Sequence, residues 1–175
     1  GSEGLLGVIT EVTVRLLQKP ETARVILVGF PTNEDAGKCV ADIISAGIIP
    51  GGMEMMDRPA IHAVEEFVHA DYPLDVEALL IIELDGPAIE VDHLIDEVSA
   101  IAKKNKCSTS RTSTSEAERL LFWAGRKAAF PAVGRISPDY FCMDGTIPRK
   151  NLSEVLTGMG KLKKKHGLRV ANVFH

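Results

Sequence analysis

The apolar positions of this chain change period several times, and each change marks an element. From Val8 to Leu17 they alternate with Thr10, Glu11, Thr13 and Arg15, the pattern of a half-buried strand. Arg24 to Phe30 (RVILVGF) is apolar on both sides, as in a buried strand. Thr32 and Asp35 then form a capping-box start for a helix carrying Ala36, Val40, Ile43 and Ile44, which stops at Gly47. After the turn at Pro50-Gly51-Gly52, Met53 to Met56 predicts a short strand, and Pro59 opens a helix to about Ala70 with Ile61, Val64 and Val68 on one side. Ala78 to Leu84 (ALLIIEL) predicts the next strand, Pro87 to Lys104 a long amphipathic helix, and Cys107 to Thr112 another strand. Ser115-x-x-Glu118 caps a helix through Leu120, Leu121, Trp123 and Ala124 that ends before Pro131. Following a loop from Ala132 to Pro138, Asp139 to Ile147 reads as extended, Leu152 to His166 as helical, and Leu168 to Phe174 as the beginning of a last strand that is cut off.

Between residues 24 and 112 this order is strand, helix, strand, an inserted helix, strand, helix, strand. Without the insertion it is the split βαβ arrangement of an α+β, ferredoxin-like sandwich, with helices on one face of an antiparallel sheet. The strand, helix and strand from residue 139 fit half of a second copy. A doubly wound parallel sheet is the alternative, but the strands are short for it.

Composition narrows the partners. The 175 residues suit one domain, or one plus part of another, and 45% hydrophobic with 25% charged residues is ordinary for a globular chain. A net charge of −4 argues against nucleic acid, despite the local cationic stretch Lys161 to Lys165. No apolar run reaches the ~18 residues of a membrane span. Cys39, Cys107 and Cys142 are odd in number and lack Cys-x-x-Cys spacing, which reads as reduced thiols acting as small core residues in a cytoplasmic protein. His62 and His69 share a helix face but have no acidic or cysteine partner at ligand spacing.

Chemistry concentrates at the two ends. Gly1, Gly4 and Gly7 offer backbone able to approach a ligand, with hydroxyls from Ser2 and Thr10, although glycine spacing by itself fits a phosphate turn, a hairpin turn or a tag remnant equally. The longer string GSEGLLGVITEVTVRLLQKPE resembles the segment that closes the FAD-binding domain in the family of FAD-linked 2-hydroxy-acid oxidases and dehydrogenases, the glycolate oxidase catalytic subunit and D-lactate dehydrogenase type. That resemblance extends along the chain. It implies that residues 1–20 are the tail of a FAD-binding domain and residues 21–175 the family's duplicated, ferredoxin-like C-terminal cap domain, incomplete at its C-terminus. It further implies that Gly1, Ser2, Gly4 and Ile9 lie against FAD.

Two more places carry implications of the same resemblance. Leu121-Phe122-Trp123-Ala124-Gly125-Arg126 is similar to a family motif whose arginine faces the substrate carboxylate, a role suited to a planar, permanently charged guanidinium. From the residues alone, a helix arginine belongs on the surface. Asn172-Val173-Phe174-His175 resembles the start of the motif His-Ala-Gly-Asp-Gly-Asn-x-His, in which histidines hold a divalent metal in some members. His175 would be the first such histidine, with catalytic and metal roles in the complete site; a tag histidine is the other reading. The residues near Asp144 and Pro148 resemble a family strand end of structural importance.

The reaction so implied is oxidation of a small 2-hydroxy acid to the 2-oxo acid with FAD as hydride acceptor. Its partners would be the missing FAD-binding domain and other oxidase subunits, through which the protein could meet a membrane; the fragment alone would be inactive. The competing expectation is a non-catalytic ferredoxin-like module that binds a small molecule or regulates.

Overall fold

β1 (Thr22–Phe30) and β3 (Ala78–Gly86) form the middle of a sheet because they are apolar on both sides, and a strand of that kind is stable only when both its faces are covered. They pair antiparallel along their whole length, from Thr22 opposite Gly86 to Phe30 opposite Ala78. The computed structural model describes residues 4–148 and 151–175. In those residues α1 (Asn33–Ser45), β2 (Gly52–Asp57), α2 (Arg58–Val68), α3 (Ala88–Lys104) and β4 (Thr109–Thr112) complete the repeat. Beyond it come α4 (Glu116–Lys127), α5 (Ala129–Ile136), α6 (Leu152–His166) and β5 (Val173–Phe174).

The sheet runs β4-β1-β3-β2-β5 with every neighbouring pair antiparallel. Its first four strands have the ferredoxin-like order, and the ladder excludes the doubly wound parallel alternative. Both faces are covered, where helices on one were expected. On the first face α1, α3 and α6 bury Ile26, Val28, Phe30, Leu80 and Ile82. On the second, the inserted α2 and the pair α4 and α5 bury Val25, Leu27, Met56, Leu79, Ile81 and Phe122. Each such side chain withdrawn from water contributes about 1.5–3 kcal/mol, which fixes the sheet between its two helical layers.

Local signals explain where the helices start. The Thr32 hydroxyl accepts from the Asp35 backbone N–H at 3.0 Å and donates to its carboxylate at 2.7 Å. That hydrogen bond, helped by the Lys106 ammonium, holds the Asp35 carboxyl below its usual range. Asp57 caps α2 by accepting from Ala60 N at 3.2 Å, and Ser115 caps α4 by accepting from Glu118 N at 3.2 Å while Glu118 reaches back to Thr114 N.

Five expectations need correction. Val8 to Leu17 forms no strand; its apolar residues are 66–87% exposed, and no strand among the described residues lies beside it to complete a ladder. The helix through Trp123 ends before Pro131 as expected, at Lys127, but the expected loop from Ala132 to Pro138 is helical as far as Ile136: it belongs to α5, with Pro131 in that helix's first turn, where its missing N–H costs nothing. Asp139 to Ile147 is irregular and mostly exposed, flanked by Pro138 and Pro148 and interrupted by Gly145, so the first strand of a second copy is absent among the described residues. The final strand is only Val173–Phe174 and pairs with β2, widening the first sheet. Cys39 is buried, its thiol pushed up to about 12 by desolvation, and Cys107 is half-buried, but Cys142 is exposed rather than in the core.

Candidate active site

Period-two alternation divides β2 between the faces. Met53 and Met55 pack into the first core, and Met56 into the second. Glu54 and Gly52 share the second face with Met56, and there they meet α4. In β3 the same alternation takes Leu79, Ile81 and Glu83 to that face. Two carboxylates therefore stand in otherwise apolar strands beneath one helix.

α4 answers them with one row of side chains. Arg119, Trp123 and Arg126 recur at spacings of four and three, which aligns them on a single helical face. Arg119 Nη1 and Trp123 Nε1 both donate to Glu83 Oε2, the indole at 2.6 Å. Arg119 also grips Glu116 through Nε at 2.7 Å and Nη2 at 2.8 Å, and these contacts raise its already high pKa further. Gly52 lets the Trp123 ring lie against β2, since a Cβ there would come within 3.2 Å of the indole.

Arg126 is the last member of the row. Its Nε donates to Glu54 Oε2 at 2.8 Å, and both side chains are only 18% exposed. Among the described residues, its two Nη atoms have no hydrogen-bond acceptor and are not fully buried. A guanidinium held at Nε still has its other edge, with both Nη groups, free to take a carboxylate by two parallel hydrogen bonds. The helix behind it is anchored by Tyr72, whose buried hydroxyl donates to the Phe122 carbonyl across Gly125. Burial pushes the Tyr72 phenol well above its ordinary value, so it remains a neutral donor.

The C-terminal residues reach the same strand. Asn172 accepts from Asp57 N at 3.1 Å and donates through Nδ2 to Asp57 Oδ2 at 2.7 Å. Val173 then pairs with Met56 and Phe174 with Met55. His175 is the next residue after this pairing, beyond the end of β5. Sequence reasoning missed Glu54 and Glu83. The available signal was a lone acid inside an apolar strand, which needs a partner when it points inward.

The residues expected to touch FAD are not drawn into this arrangement. Gly1 and Ser2 lie outside the described residues. Gly4 adopts φ +81° with open space where a Cβ would stand, and Ile9 is 83% exposed. The described part of this segment forms no cradle that fits a flavin, so no chemistry is assigned to FAD on these residues. Likewise, no group of three or more His, Cys, Asp or Glu in a metal-holding arrangement occurs among the described residues, and a single imidazole at His175 is too few ligands for a specific metal site. None of the described helices is long and apolar enough to cross a membrane.

Comparison with known proteins places this geometry. The chain is 58% identical over 175 residues to the glycolate oxidase subunit GlcD of Escherichia coli (strain K12), covering 100% of this chain and 35% of that protein. It is 35% identical over 136 residues to the mitochondrial D-lactate dehydrogenase [cytochrome] 1 of Saccharomyces cerevisiae, covering 76% of this chain and 23% of that one. It therefore spans about a third of the length of the Escherichia coli relative and about a quarter of that of the yeast one. Among solved structures, an alkyldihydroxyacetonephosphate synthase superposes with a TM-score of 0.66 at 23% identity, over 95% of this chain and 35% of that one, a likeness of fold. The profile of FAD linked oxidases, C-terminal domain, matches residues 19–175, nine-tenths of the chain, and the chain belongs to that family.

Proposed function

We propose that this chain is the substrate-facing part of a larger FAD-dependent oxidoreductase that converts a small 2-hydroxy acid, of the glycolate or D-lactate kind, to the 2-oxo acid. The relatives named for glycolate oxidase and D-lactate dehydrogenase support the reaction class. The observation that carries the reading for this chain is Arg126: half-buried, pinned at Nε by Glu54, and with its Nη edge open. In that pose it binds the substrate carboxylate end-on and fixes where the hydroxyl-bearing carbon sits. FAD, when bound, accepts the hydride. His175, the residue after β5, is in this reading the candidate for the hydroxyl end of the substrate.

Residues 1–20 are assigned in this reading to the end of a FAD-binding domain and residues 21–175 to the cap domain, with the flavin cradle supplied mainly by the rest of the protein. Cys39, Cys107 and Cys142, all unpaired, support a reducing, cytoplasmic compartment, with other oxidase subunits as the contact to a membrane. The test is anaerobic mixing of the complete protein with glycolate, D-lactate and D-2-hydroxyglutarate while following flavin absorbance. At least one should bleach the flavin with formation of the matching 2-oxo acid. If a flavin-loaded protein is bleached by none of them, the domain is better read as a non-catalytic binding module.

A further inference from the structure

We infer that Glu54 is a positioning residue for the carboxylate-binding arginine: it sets which edge of Arg126 faces the substrate. This rests on the reading of Arg126 above and adds a residue to it.

A guanidinium offers a carboxylate two bidentate edges, one pairing Nε with an Nη and one pairing the two Nη groups, and an unrestrained arginine samples both. Glu54 Oε2 occupies Nε at 2.8 Å, which leaves the Nη1/Nη2 edge. Glu54 itself is fixed from below, because β2 is hydrogen-bonded on one side to β3 and on the other to β5. Arg126 is fixed from above by the rest of its row, where Glu83 takes both Arg119 and Trp123 and leaves the Trp123 ring against Gly52. Glu83 Oε2 is thus taken by two other donors, and among the described residues Glu54 is the carboxylate hydrogen-bonded to Arg126. An inward carboxylate in a strand whose neighbours are Met53, Met55 and Met56 has no packing role that a methionine would not fill better, and its cost of desolvation is offset by this one partner.

The experiment uses the complete protein with its flavin and the 2-hydroxy acid it oxidises fastest. Glu54→Ala frees the guanidinium without removing its charge, so substrate still binds but in scattered poses. It should lower kcat by about 10- to 100-fold while KM changes less than about 5-fold, the signature of misplacement by roughly an ångström. Glu54→Gln keeps an acceptor oxygen at the same reach and should stay within about 5-fold of the parent, whereas Glu54→Asp withdraws the carboxylate by one methylene and should resemble Glu54→Ala. In an Arg126→Ala background, Glu54→Ala should change kcat/KM by less than about 2-fold, because a residue acting only through Arg126 has nothing left to act on. An undiminished effect in that background overturns the inference, as does unchanged kcat in Glu54→Ala. If Arg126→Ala alone leaves kcat/KM unchanged, the carboxylate-clamp reading fails first and takes this inference with it. Should Glu54→Ala not fold, the contrast of Glu54→Gln with Glu54→Asp decides: equal kcat in the two contradicts the inference.

Discussion

The two faces of one sheet are built from the same strands yet carry different chemistry. Under α1, α3 and α6 the sheet presents the apolar cluster Ile26, Val28, Phe30, Leu80 and Ile82, and the buried carboxylates Asp35 and Asp57 are engaged at helix starts. Under α4, the second face has an apolar part at Val25, Leu27 and Ile81, then a polar end where Glu54 and Glu83 meet Arg119, Trp123 and Arg126. A half-buried ion pair rarely improves on well-packed apolar residues in stability. On the first face the buried Asp35 serves a helix start and the strands are covered by apolar side chains, so the charges set into the strands on the second call for an explanation beyond folding.

That contrast makes unequal predictions. On the first face, Phe30→Ala removes a fully buried ring where nothing can collapse to fill the space, and it should cost about 3–5 kcal/mol of unfolding free energy in denaturant titration. Surviving folded protein should keep the KM of the parent enzyme. On the second face, Glu83→Gln withdraws the charge that Arg119 and Trp123 share but leaves Glu116 to Arg119, and it should cost about 1–3 kcal/mol by the same titration. Its larger consequence should be in turnover, since α4 carries Arg126. If Glu83→Gln proved as destabilising as Phe30→Ala and left turnover alone, the polar end would be structural and the contrast between the faces would vanish.

Much of the fold was readable because its signals are local. Thr32, Asp35, Pro59 and the Ser115-to-Glu118 box act through hydrogen bonds or a ring within a turn of the residue concerned, and each starts a helix in the structure. RVILVGF and ALLIIEL are apolar on both sides and became the two central strands. The misreadings arose where the outcome depends on a partner far along the chain. Val8 to Leu17 has strand alternation but no neighbouring strand, and Phe141 and Met143 are apolar yet exposed in an irregular segment. Pro131 stops one helix in any local reading, whereas the turn at Ala128 converts it to the start of another. In the site, Arg126 and His175 were legible through resemblance, but Glu54 was not. Its meaning depends on α4 crossing β2 and on β5 pairing beside it, contacts across 72 positions for Glu54 with Arg126 and 119 for Met55 with Phe174.

The proposed binding of the substrate carboxylate by a fixed two-nitrogen edge of Arg126 is tested by kcat/KM of the complete protein carrying Arg126→Lys. Lysine keeps the positive charge and the helix but replaces a planar fork with a point charge, so the loss reports geometry and not charge. The account predicts a fall in kcat/KM of at least about 100-fold, corresponding to about 2.7 kcal/mol of transition-state stabilisation, with the thermal midpoint nearly unchanged. Retention of kcat/KM within about twofold of the parent would contradict it.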